Sequence, residues 1–75
     1  MKLFIFEKVL SDYTDGLVVI AAKTLKQAQQ FAQKEFYPEL TISQVIQEEG
    51  WDVPAAVYNA GNIEPGVKHY VHGGA

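Results

Sequence analysis

Apolar residues in the first ten positions occupy both alternation sets of an extended chain: Leu3, Ile5 and Val9 fall on one, Phe4, Phe6 and Leu10 on the other. Side chains alternate across a strand, so this pattern predicts an interior strand covered on both faces, with Glu7 and Lys8 marking the end that reaches solvent. Residues 17–22, Leu-Val-Val-Ile-Ala-Ala, form a second continuous apolar run with three β-branched members and predict another buried strand. Ser11-Asp12-Tyr13-Thr14-Asp15-Gly16 between them is a turn cluster ending in Asp-Gly, which points to an antiparallel hairpin.

The period then changes. Leu25, Ala28, Phe31, Ala32 and Phe36 recur at helical spacing, with Lys26, Gln27, Gln29, Gln30, Gln33 and Lys34 on the other side. Thr24 supplies an N-cap and Gln27, three residues on, completes a capping box; Pro38 ends the helix after Tyr37. Residues 40–49 fit two periods imperfectly. Thr41, Ile42, Val45 and Ile46 are β-branched and favour a strand, while Thr41 as cap and Gly50 as stop would suit a helix; the strand is the expectation taken here. Asp52 as cap, Pro54 in the first turn and Gly61 past the end predict a short helix, with an irregular loop as the alternative. Pro65-Gly66 marks a turn, and residues 67–72 alternate Val67, His69, Val71 against Lys68, Tyr70, His72, a final strand with one face buried. Residues 73–75 are expected to fray. The sum is a single α+β domain spanning residues 1–75: a small, mainly antiparallel sheet of about four strands in ββαβ(α)β order, with one main helix on one face. Apolar side chains on both faces of the first two strands then need either the short helix or a second subunit as cover, which motivates a homodimer.

Composition narrows the classes. Seventy-five residues without a cysteine leave packing alone to stabilise the fold, and a 48% hydrophobic content is enough to build a core. The longest apolar run falls far short of the roughly 20 residues of a membrane span, and no secretory leader is evident, so a cytoplasmic setting is expected. The net charge is −3, and all six basic residues are lysines. Arginine is the preferred residue for bidentate phosphate and base recognition, so its absence disfavours sequence-specific nucleic-acid binding. The acidity is late: up to Pro38 five lysines oppose four acids, and beyond it one lysine opposes five.

Catalytic constellations are weak. His69 and His72, three apart in a strand, face opposite ways and cannot share a metal ion. Ser11 and Ser43 lie outside any nucleophile-elbow context, and no glycine-rich phosphate loop precedes a helix. Neither catalysis nor a cofactor is therefore expected. Two clusters do mix aromatic and acidic residues: Asp12, Tyr13 and Asp15 at the hairpin tip, and Glu48, Glu49, Trp51 and Asp52. An aromatic anchor ringed by carboxylates suits a basic protein partner; the alternative for Trp51 is the lid of a small core.

The segment Ile20-Ala21-Ala22-Lys23-Thr24-Leu25-Lys26-Gln27-Ala28, continuing through Ala32-Gln33-Lys34-Glu35, resembles the strand-to-helix junction of small phage-encoded accessory proteins. Among these it is similar to one family of type I anti-CRISPR proteins, which pack one helix on a short antiparallel sheet. The resemblance implies a non-catalytic inhibitor that binds a CRISPR effector subunit, or another host defence protein, and blocks DNA engagement. Contacts in that family are largely basic, whereas this chain offers only Lys26 and Lys34 on the helix's polar side, so no contact residue carries over. An acidic inhibitor would instead occupy a basic, DNA-binding surface. The second reading is a protein that binds or sequesters a small nucleotide ligand as an oligomer.

Overall fold

A computed structural model describes residues 1–10 and 14–74. The chain forms β1 (Lys2–Val9), β2 (Gly16–Ala22), α1 (Leu25–Phe36), α2 (Ile42–Glu48), β3 (Ala56–Asn59) and β4 (Gly66–Val71). It is an α+β fold with one antiparallel four-stranded sheet, ordered β3-β1-β2-β4. The two most apolar strands are central, as their two-faced pattern requires.

β1 pairs with β2 from Lys2 opposite Ala22 to Glu7 opposite Leu17. A bulge at Lys8 (φ 60°) then rotates the chain, so that Val9 joins Phe4 and Phe6 on the covered face. Gly16 closes the hairpin where a Cβ would lie 2.4 Å from the Val71 carbonyl oxygen and 2.6 Å from that of Val9. The core comprises Phe4, Phe6 and Val9 of β1, Val18, Ile20 and Ala22 of β2, Ala28 and Ala32 of α1, Val45 of α2, and Trp51.

α1 is capped by Thr24, whose hydroxyl accepts from the Gln27 amide at 3.1 Å. The reciprocal bond of a capping box is displaced: Gln27 Oε1 accepts from the Lys23 amide at 2.7 Å. The complete box lies at α2, where the strand was expected. There the Thr41 hydroxyl accepts from the Gln44 amide and Gln44 Oε1 accepts from the Thr41 amide. Glu49 caps the C-terminus and Gly50 follows at φ +80°. Helix propensities differ by only about 0.7 kcal/mol among ordinary residues, whereas a cap contributes about 1 kcal/mol, so the end signals outweigh β-branching.

The short helix expected over residues 52–61 does not form: residues 52–55 are irregular and residues 56–59 are the strand β3. β3 pairs Asn59 with Lys2 and Ala56 with Ile5, and the Ala55 and Ala60 amides donate to the Ile5 and Met1 carbonyls at 2.7 and 3.0 Å. A helix here would leave the backbone groups along the edge of β1 unpaired, whereas an extended chain pairs with them from Lys2 to Ile5. The chain order is therefore ββααββ. β4 also departs from simple alternation. The register slips between Val19 and Ile20, so Val67 packs on the helix side opposite Ile20 while His69 and Val71 lie opposite Val19 and Leu17 on the other face. Among the described residues no helix is long and apolar enough to cross a membrane.

Candidate interaction surface at the hairpin end

Gly50 reverses the chain beside the backbone of Lys8, and the residues around it separate by chemistry. Glu48, Glu49 and Asp52 are exposed, but Trp51 is fully buried. Its ring lies 4.8 Å from Phe6 and 6.1 Å from Phe36, centroid to centroid, with Tyr37 edge-on at 6.2 Å. Trp51 is therefore a core residue and not the exposed anchor of an acidic cluster. An indole of this size gains more by filling the space between β1 and α1 than by standing in water. Polar contacts fix it: Trp51 Nε1 donates to the Tyr37 hydroxyl at 3.3 Å, and Gln29 Nε2 donates to the Trp51 carbonyl at 2.8 Å.

Two glutamines assigned to the solvent side of α1 thus act internally. Gln29 is only 6% exposed, and Gln33 Nε2 reaches the carbonyls of Tyr37 and Leu40 at 3.2 and 3.0 Å, holding the connection to α2. Tyr37 joins three segments, since its hydroxyl also bonds to the Leu10 backbone. Burial, reinforced by the charge of Glu49, raises its pKa above the ordinary 10.0, against the lowering effect of these hydrogen bonds.

Gly73 and Gly74 are tied down rather than frayed. The Gly73 amide donates to the Leu10 carbonyl at 2.8 Å, and Thr14 Oγ1 both donates to the Gly74 carbonyl and accepts from its amide at 2.9 Å. Asp12 and Tyr13 lie outside the described residues, as does Ala75; Asp15 is exposed.

Lys8, Val9 and Leu10 face Glu48, Glu49 and Gly50 across a shallow groove of about 280 Å³. The C-terminus of α2 and the Lys8–Leu10 end of β1 therefore lie together, with Glu48 and Glu49 exposed across from Lys8; Asp52, after the turn, and Asp15, just before β2, are exposed as well. A second open groove, of about 460 Å³, runs between α1 and α2 along Gln30, Gln33, Lys34, Leu40, Thr41 and Ile42. The histidines are apart: His69 lies opposite Val19, and His72 stands on the helix side against Phe36 and Tyr70. Among the described residues no three His, Cys, Asp or Glu side chains gather as a metal site. No protein-family model matches the chain, and searches of curated proteins and of solved structures likewise give no match.

Proposed function

We propose that the chain is a non-catalytic binding protein that presents its acidic hairpin end to a basic protein surface, acting in a host cytoplasm as an inhibitor carried by a phage or mobile element. The observation that supports this reading is the pair of exposed carboxylates, Glu48 and Glu49, lining the groove opposite Lys8, Val9 and Leu10 at the end of α2. Carboxylates so gathered steer and orient a lysine- or arginine-rich partner. A nucleic-acid-handling defence effector, a CRISPR subunit among them, offers a partner of that chemistry. The test is target-DNA binding by a purified type I effector complex, titrated with the chain. Binding should be blocked by the natural chain and restored with Glu48→Gln, Glu49→Gln and Asp52→Asn combined, at an unchanged urea midpoint. Equal inhibition by the triple variant would remove the acidic end from the mechanism.

The groove between α1 and α2 favours one other reading, a small-ligand or nucleotide binder, because its volume lies within the usual range for ligand sites. A nucleotide thermal-shift screen separates the two, since a ligand at 100 times its Kd adds about 2.7 kcal/mol of stability.

A further inference from the structure

Three aromatic rings stand nearly at right angles to one another where the end of α1 meets the edge of the sheet. Phe36 is the last residue of α1; Tyr70, opposite Val18, lies on the helix side of the edge strand β4, and His72 follows that strand on the same side. The Phe36–Tyr70, Tyr70–His72 and Phe36–His72 centroids are 5.2, 5.5 and 6.3 Å apart, with interplanar angles of 73°, 90° and 87°. Phe36 is half-buried and backed by Trp51, whose ring lies within 21° of parallel at 6.1 Å, whereas Tyr70 is 47% exposed and His72 is exposed. The rings belong to the same end of the fold as the acidic groove. Gly73, next to His72, donates to the carbonyl of Leu10, and Leu10 lines that groove across from Glu48 and Glu49.

We propose that Phe36, Tyr70 and His72 form a corner that receives an arginine side chain of the partner, an inference that rests on the reading of the acidic end as a surface for a basic protein. The face of an aromatic ring is the negative pole of its quadrupole, and a guanidinium within about 6 Å of the centroid is attracted to it. A point equidistant from three perpendicular faces lies at the centroid separation divided by √2, here about 3.7–4.5 Å from each ring and inside that range. Arginine suits the corner better than lysine because its flat, weakly hydrated guanidinium stacks on a ring and sheds water at lower cost.

Two electrostatic features act in the same sense. The position of Phe36 sets the corner at the C-terminus of a twelve-residue helix, the negative end of its dipole. The charge of Glu49 is felt at Tyr37, whose ring lies 6.5 Å from that of Phe36, so a carboxylate field extends from the groove toward the rings.

The test is an NMR titration of the full chain with N-acetyl-arginine N-methylamide at low salt and about pH 8, above the ordinary imidazole range, with the uncharged citrulline analogue of the same shape as control. The arginine probe should shift the ring protons of Phe36, Tyr70 and His72 along one saturating curve, and the citrulline analogue should bind several-fold more weakly. Tyr70→Leu and His72→Leu should each weaken binding about two- to fivefold, while Tyr70→Phe, which keeps a ring face, should match the natural chain. Both altered side chains are exposed, so urea midpoints should stay within the range of surface substitutions. The absence of a saturable ring shift overturns the proposal, as does an equal response to citrulline or undiminished binding when both leucine substitutions are combined. Shifts confined to Glu48 and Glu49 would assign the cation to the carboxylates alone and overturn it too. No effector enters this titration, so a chain that fails to block DNA binding and a corner that fails to bind arginine are separate results.

Discussion

Replacing Trp51 with alanine distinguishes a core residue from a surface anchor more sharply than any other change. An aromatic side chain buries roughly 150–250 Å², and at about 25 cal/mol per Å² full burial is worth up to about 6 kcal/mol. Measured truncations of buried aromatics to alanine cost about 3–5 kcal/mol. A domain of 75 residues at roughly 0.05–0.15 kcal/mol per residue holds about 4–11 kcal/mol in all. Trp51→Ala should therefore remove a large fraction of the stability, or unfold the chain. Trp51→Phe keeps the contacts with Phe6 and Phe36 but gives up the bond to the Tyr37 hydroxyl. It should cost about 1–2 kcal/mol, or a fall of roughly 4–16 °C in Tm. The assay is urea unfolding followed by far-UV circular dichroism, because the only tryptophan is the residue removed. In the natural chain its fluorescence should be blue-shifted and shielded from acrylamide. A Trp51→Ala variant within about 0.5 kcal/mol of the natural chain, the range of ordinary surface substitutions, would refute the core assignment.

Three further outcomes follow from the same contacts. Thr41→Ala opens the capping box of α2 and should cost about 1 kcal/mol by urea unfolding, with no loss expected if the segment were a strand. Gly73→Ala places a Cβ against the Thr14 carbonyl and should release the segment from Leu10 and Thr14, read as faster amide exchange at Gly74 than in the natural chain; unchanged protection would count against the tie. Because Tyr37 is neutral when protonated and its folded pKa is raised, its contribution is whole below about pH 10 and is lost as pH climbs through the folded value. Urea midpoints from about pH 8 to about pH 11 should fall more steeply for the natural chain than for Tyr37→Phe, and parallel profiles would contradict the shift.

The hairpin and α1 were legible because their signals are local and redundant: an unbroken apolar run in β2, Thr24 immediately before a helical period, and Pro38 after it. Two segments after Pro38, residues 40–49 and 52–61, were harder because each carried two local messages, whereas the alternation of residues 67–72 announced β4. In residues 40–49 the side-chain shapes argued for a strand and the ends for a helix, and the ends prevailed. In residues 52–61 the punctuation of Asp52, Pro54 and Gly61 suggested a helix. What decides is the free edge of β1, fifty residues away, whose Ile5 and Met1 carbonyls take the Ala55 and Ala60 amides. No local pattern reports an unpaired edge elsewhere in the chain.

The internal role of Gln29 was hidden for a related reason. Its burial depends on a Trp51 carbonyl left facing the core by the reversal at Gly50, a contact twenty-two residues long. Adjacency in sequence misled at the same place: Glu49 and Trp51 are two apart, yet the turn sends one outward and the other inward. Carboxylate contacts at the acidic end weaken as ions screen them over about 8–10 Å. If that end functions as proposed, rising sodium chloride should release a basic partner, and a complex held equally well at low and high salt would mean that contacts other than Glu48, Glu49 and Asp52 carry it.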